Sequence, residues 1–308
     1  MYARECANTL LFLAHHSGNS AVLDRLTKSI DSHFAEVRPA SLEREDIASI
    51  AGLLAQAPAI RYREIKPAEY REQRAAENDS SDNSDGLRNS PNEDGRDLFQ
   101  EIVGLSKAIE IAGTLLTHQY ANYNRATKDS AIKSIFDGAM RAVKTFHAHF
   151  ENTEELIRYI TARIRGSRGD KTAEQIEMQL RLAIAMLIKV VTTSFVMRAG
   201  ANLQARDLDD NVTTAIDGSP TCAYRLIRLA QVLQRPIRLP RLEIDRLRRE
   251  QDSNPAVMGV LQLLVLQRLY AYETTHDDKD WALGVFEMGG QRTIVEQKSL
   301  PAPRKRIS

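Results

Sequence analysis

Cysteine is nearly absent: the 308 residues include two, Cys6 and Cys222, far apart and in no ligand-type spacing. That excludes a disulfide framework and a cysteine-based zinc site, and it suits free, partly buried thiols in a reducing compartment. An excess of either charge is missing too. The formal balance is +1, so no global field draws the chain to nucleic acid or to a membrane. Glycine (15) and proline (10) are modest, and the apolar–polar alternation of half-buried strands is scarce. There is no sign of a leader, since MYARECANTL carries Glu5 and Asn8 where a signal peptide would be apolar. The most apolar run, Leu182–Met197, is interrupted by Lys189 and falls short of the roughly 18–20 residues that cross a bilayer. The expectation is a cytoplasmic protein without membrane association, with this run as a central helix surrounded by protein.

What is abundant favours helix: Ala, Leu, Arg, Glu, Gln and Ile dominate the composition. Val22, Leu26, Ile30 and Phe34 fall every fourth position and predict one amphipathic helix. A second is expected over LEREDIASIAGLLAQA, stopping before Pro58. Composition then shifts. AAENDSSDNSDGLRNSPNEDG offers almost no apolar surface to offset its ordering entropy, which predicts a disordered acidic linker. Asp97, with Gln100 three residues on, is placed to cap the next helix. There Leu98, Ile102, Leu105, Ile109, Ala112 and Leu116 alternate four and three apart, a seam for lengthwise helix packing. A further helix is expected from near Lys128 to Phe150. Thr172 and Gln175 form a capping pair before the longest helix, whose inward stripe is read as Ile176, Leu180, Ile184, Leu187, Val191 and Phe195. Asn254 as cap and Pro255 in the first turn open a strong helix near the end.

The fold class is therefore all-α, an irregular multi-helix bundle with a smaller N-terminal helical unit on a disordered linker. The divisions are 1–70 for the small unit, 71–97 for the linker, 98–290 for the main helical domain and 291–308 for a flexible basic tail.

Three stretches bear on chemistry. In RAVKTFHAHF, the spacing of Arg141 and His147 resembles the arginine–histidine motif of HEPN-type ribonucleases, all-helical proteins in which these side chains act on RNA from a dimer interface. Such a histidine would move the proton of a ribose hydroxyl, and the arginine would stabilise charge on phosphate. Ala142 departs from that family, which places a polar residue after the arginine. On one straight helix the two side chains also lie about 120° apart, so the residues by themselves favour a boundary histidine and a solvated arginine. GSRGDKT, 166–172, lacks the phosphate-loop spacing because Asp170 separates glycine from lysine. No set of residues has metal-ligand spacing, and no cofactor is expected.

The third stretch is basic. Arg225, Arg228, Arg235, Arg238, Arg241, Arg246, Arg248 and Arg249 stand against only Glu243 and Asp245 in the same segment. Their density suits phosphates or acidic partners, and their alternation with Leu and Ile suits an ordinary solvated helix face.

Over most of its length the chain resembles the helical carboxyl-terminal part of some STAND-type NTPases. The similarity is carried by CANTLLFLAHHSGNSAVLDRL, LFQEIVGLSKAIEIAGTLLTHQY, RAVKTFHAHFENTEELIRYI and VMGVLQLLVLQRLYAYETTHDDK. It implies a sensor or regulatory module whose ATPase would lie upstream, and no catalytic residue carries over from it. The expected function is a non-enzymatic helical interaction module with a protein partner, its contacts at the arginine-rich segment and the outer side of the Leu98–Leu116 seam. The alternatives are a metal-independent ribonuclease using Arg141 and His147, and nucleic-acid binding through the arginines.

Overall fold

A computed structural model describes residues 20–58, 60–73, 76, 93–165 and 172–288. Most of the acidic linker, the tail 291–308, Cys6 and the CANTLLFLAHH segment lie outside them. Among the described residues every regular element is helical, and the all-α class holds.

Helix α1 (Ser20–Ser32) buries Leu26 and Ile30 as their spacing predicts, and Leu23 in addition, while Val22 is half-buried. Phe34 does not extend the stripe; it sits past the helix end at φ 50°. Helix α2 (Ala48–Leu54) is shorter than its sequence suggests. Asp46 explains why: its carboxylate accepts the backbone N–H groups of Ser41 (2.8 Å) and Leu42 (3.3 Å), and Lys144 Nζ lies 2.6 Å away. A side chain that satisfies the preceding backbone in this way competes with an earlier helix start. Leu42 adopts φ 58°, which also bars a continuous helix there.

Helix α3 (Glu93–Gln119) opens about one turn before Asp97, so Asp97 lies inside the helix and is not its cap. The seam behaves as expected, with Leu105, Ile109, Ala112 and Leu116 fully buried against α1 and α4 (Arg125–Ala148). Asn124 caps α4 by accepting from the Thr127 N–H, so the helix starts at Arg125, three residues earlier than Lys128. Helix α5 (Thr153–Arg165) precedes α6 (Ala173–Ala201), which starts at the predicted reciprocal Thr172–Gln175 capping box. Then come α7 (Asp209–Gly218), α8 (Cys222–Leu233), α9 (Arg241–Glu250), α10 (Pro255–Ala271, with Asn254 and Pro255 in their expected places) and α11 (His276–Val285).

α6 is the axis of the fold, in contact with α2, α3, α4, α5, α8 and α10. Two glycines let neighbours come close. Gly200 touches the backbone of α8, and Gly259 on α10 leaves room for the aliphatic stem of Lys189. Lys189 is thus core-facing, and burial holds its ammonium below the usual lysine range. The small N-terminal unit is docked: α1 and α2 share one hydrophobic core with the helices of the main domain.

Candidate functional site

Arg141 and His147 both lie inside the protein, 9% and 5% exposed, which corrects the expectation of a solvated arginine and a boundary histidine. Arg141 Nη2 donates to the carbonyl of Ile30 at 3.0 Å and stands 3.7 Å from the Asp31 carboxylate. It therefore supplies a donor and a positive charge to the C-terminus of α1, which has no basic residue of its own there.

His147 faces another neighbour, α6. The Thr192 hydroxyl donates its only hydrogen to the Ile188 carbonyl (2.7 Å), so at 2.8 Å its oxygen accepts from His147 Nε2–H. That fixes the tautomer, and burial lowers the imidazole to about 4, keeping it neutral. The two side chains have no partner in common. Each bolts α4 to a different helix, and the pair does not form a phosphate-binding cleft.

Two further candidate groups among the described residues are equally inactive. Cys222 is a free, buried thiol, pushed up to about 12 by burial and by the neighbouring Glu43 carboxylate, the opposite of an activated nucleophile. Tyr224 donates to Asp137, and Asp137 also takes Lys133. Among the described residues no cluster of His, Cys, Asp or Glu is arranged to hold a metal ion.

Two surface clefts, of about 480 and about 730 Å³, each hold one cation that is already engaged, beside Lys66 in the first and Arg238 in the second. In the first, Lys279 is held by Glu64 (2.8 Å) and lies 4.8 Å above the Tyr62 ring. In the second, Arg241 is clamped by Asp277 (2.6 Å) and Asp278 (2.5 Å).

The arginine-rich segment follows the same pattern. Arg228 and Arg235 converge on Asp209 at 2.7 and 2.5 Å. Burial alone would raise that carboxyl, but the two guanidinium groups outweigh it and hold it below the usual range. Arg225 and Arg246 share Glu250, while Arg248 and Arg249 share Asp245. Only Arg238, exposed in the turn before α9, has no carboxylate partner among the described residues. The neutralising carboxylates Asp209, Glu250, Asp277 and Asp278 come from outside the basic run.

One surface is unlike the rest. α6 is long and apolar enough to cross a bilayer, yet only 44% of its most apolar window is buried. Leu187 and Val190 are 47% and 48% exposed. Ala183 and Ser194 are exposed as well, and Leu180 and Met197 are half-buried. Residues 180, 183, 187, 190, 194 and 197 alternate three and four apart, so they form one seam along the helix. Between Arg181 and Arg198 the sole charged residue is Lys189, and it points inward. Leu156 and Tyr159 on α5 are also exposed, and the Arg181–Glu154 ion pair ties α5 to the first half of α6.

The sequence stripe is right for Ile176, Ile184 and Phe195, which are buried, and for Leu180 and Val191, which are half-buried; it errs at Leu187, which faces outward. The core-facing residues are Ile184, Ile188, Thr192, Phe195, Val196 and Ala199. A helix apolar all round carries no periodic signal that would orient it; the run of sixteen residues with a single charge was the available clue. No protein-family model, no curated protein and no solved structure matches this chain.

Proposed function

We propose that the chain is a non-enzymatic helical interaction module, a regulatory or sensor unit of the kind the STAND-type resemblance implies, that binds a protein partner. The observation that carries this reading is the charge-free outer face of α6. Contiguous apolar surface at the most solvent-accessible side of a long helix marks a contact site, and its heptad spacing suits another helix. The contact therefore moves from the arginine-rich segment, whose cations other than Arg238 are paired internally, and from the outer side of the Leu98–Leu116 helix, where Val103 is the one large apolar side chain exposed among the described residues.

The test places a photoreactive benzoylphenylalanine at 187 or at 190 in living cells. A discrete protein adduct is the expected result; adducts to lipid alone, or none at either position, would overturn the reading. The ribonuclease alternative requires Arg141 and His147 at one phosphate, and their separate burial speaks against it. Purified protein is expected to leave single-stranded and hairpin RNA intact. Cleavage by the wild type that disappears in His147→Gln would replace the interaction reading with an enzymatic one.

A further inference from the structure

Resting on that reading, we propose that the occupant of the α6 face is a second copy of this chain, with the two α6 helices packed antiparallel about a two-fold axis. A two-fold contact requires a surface complementary to itself. Laid antiparallel about its midpoint, the seam places Leu187 against Val190 of the second copy, Ala183 against Ser194, and Leu180 against Met197. Each inner layer thus joins one residue from the first half to one from the second, with no charge in any layer.

The flanks decide the direction. Along one edge of the seam lie Glu177, Ile184, Val191 and Arg198, seven residues apart. In an antiparallel pair like edges meet, so Glu177 faces Arg198, twice per dimer and at both ends, while Ile184 on that edge stays turned into the core. Both charged groups have capacity to spare. Among the described residues Glu177 makes no close ion pair, only a Coulombic interaction with Arg181 one turn on, and Arg198 reaches Glu110 only at 3.5 Å while its side chain remains 42% exposed. In a parallel pair unlike edges meet. Gln179, Met186 and Thr193 would then face Ile184, Val191 and Arg198, and no opposite charges would meet.

A seam of this length, about 25 Å at 1.5 Å per residue, is narrower than the roughly 800 Å² per partner of a standard interface. Leu156 and Tyr159 beside the first half of α6 supply the extra apolar area over the second half of the partner helix.

Sedimentation velocity of the full chain, from about 1 to about 100 µM, tests this. The wild type is expected to dimerise. Leu187→Asp is expected to leave a monomer across that range with its melting temperature nearly unchanged, because this side chain is outside the core. Glu177→Arg and Arg198→Glu are each expected to weaken the dimer about tenfold, and the double charge swap to restore it, which a merely structural role would not do. A wild type that stays monomeric, a dimer indifferent to Leu187→Asp, a swap that fails to rescue, or binding to phosphatidylcholine vesicles in place of self-association would overturn the proposal. A monomer that still yields a discrete adduct with a different protein at 187 would remove the second copy and leave the interaction reading standing. A monomer with no adduct would remove both.

Discussion

Gly200→Val is expected to destabilise the fold by about 3 kcal/mol or more, at the upper end of overpacking costs. Gly200 is the penultimate residue of α6, where that helix crosses α8. A Cβ there would come within 2.8 Å of the Gln231 amide nitrogen, 3.0 Å of Ala230 Cβ, and closer still to the Ile227 carbonyl oxygen. Two of these neighbours are backbone atoms inside a helix, so they cannot swing aside as a flexible side chain would. Relief would require the two helices to separate, and the buried Leu226, Ile227 and Ala230 would lose their packing with them. For a chain of this size the loss corresponds to a fall in Tm of roughly 5 °C. Gly52→Ala is the control: it lies inside α2 with nothing within 4 Å of the added carbon, so gaining about 1 kcal/mol of helix propensity is the expected effect. Equal behaviour of Gly200→Ala and Gly52→Ala in urea titrations would mean that α6 and α8 do not approach as described.

Acid should weaken the protein through His147. In the unfolded chain this imidazole has its ordinary value of 6.5, whereas burial lowers it to about 4 in the fold. A base depressed by folding is neutral in both states above pH 6.5 and costs nothing there. As pH falls from 6.5 toward 4 the unfolded chain takes up the proton first, so stability drops across that window and levels off below it. With about 1.4 kcal/mol per pKa unit, the loss approaches roughly 3 kcal/mol. His147→Gln can still donate to Thr192 but does not titrate. It is expected to be less stable than the wild type at pH 7.5 and to have a flatter stability profile between pH 6.5 and 4. A variant with the same slope as the wild type over that window would show that His147 does not carry the effect.

How much of this could be read from residues varies by element. Where one face is apolar and the other charged, as in α1 and along the Leu98–Leu116 seam, spacing alone gave both helix and buried side. Local capping chemistry placed the starts of α6 and α10 to the residue, because Thr172–Gln175 and Asn254–Pro255 act within one turn. α2 was overestimated because the carboxylate that ends the preceding turn, Asp46, is held in part by Lys144, a long-range partner. Leu187 on α6 was misplaced for the opposite reason, since an excess of apolar residues blurs which of them face the core. Arg141 was taken as solvated because helix spacing assigns it to the polar side. The Ile30 carbonyl that draws it inward belongs to another helix. The arginine-rich run looked like an open cationic surface because the counter-charges of Arg225, Arg228, Arg235 and Arg241 lie 19 to 37 positions away, as in Arg228–Asp209 and Arg241–Asp278.

The turn around residues 41–43 has a consequence for how the chain is made. Leu42 accepts through its carbonyl from Asn254 Nδ2, the Ser41 carbonyl takes the amide of Ala223, and the Glu43 carboxylate takes that of Cys222. Sequence separations of 212 and 179 residues mean that early-synthesised segments wait for late ones before their bonds can close. Large separations of this kind slow assembly, so during synthesis the first helices stay dependent on whatever shields nascent chains. α1 can pack on α3 and α4 as they emerge, but the apolar face of α2 finds its cover only once α6 and α10 have left the ribosome.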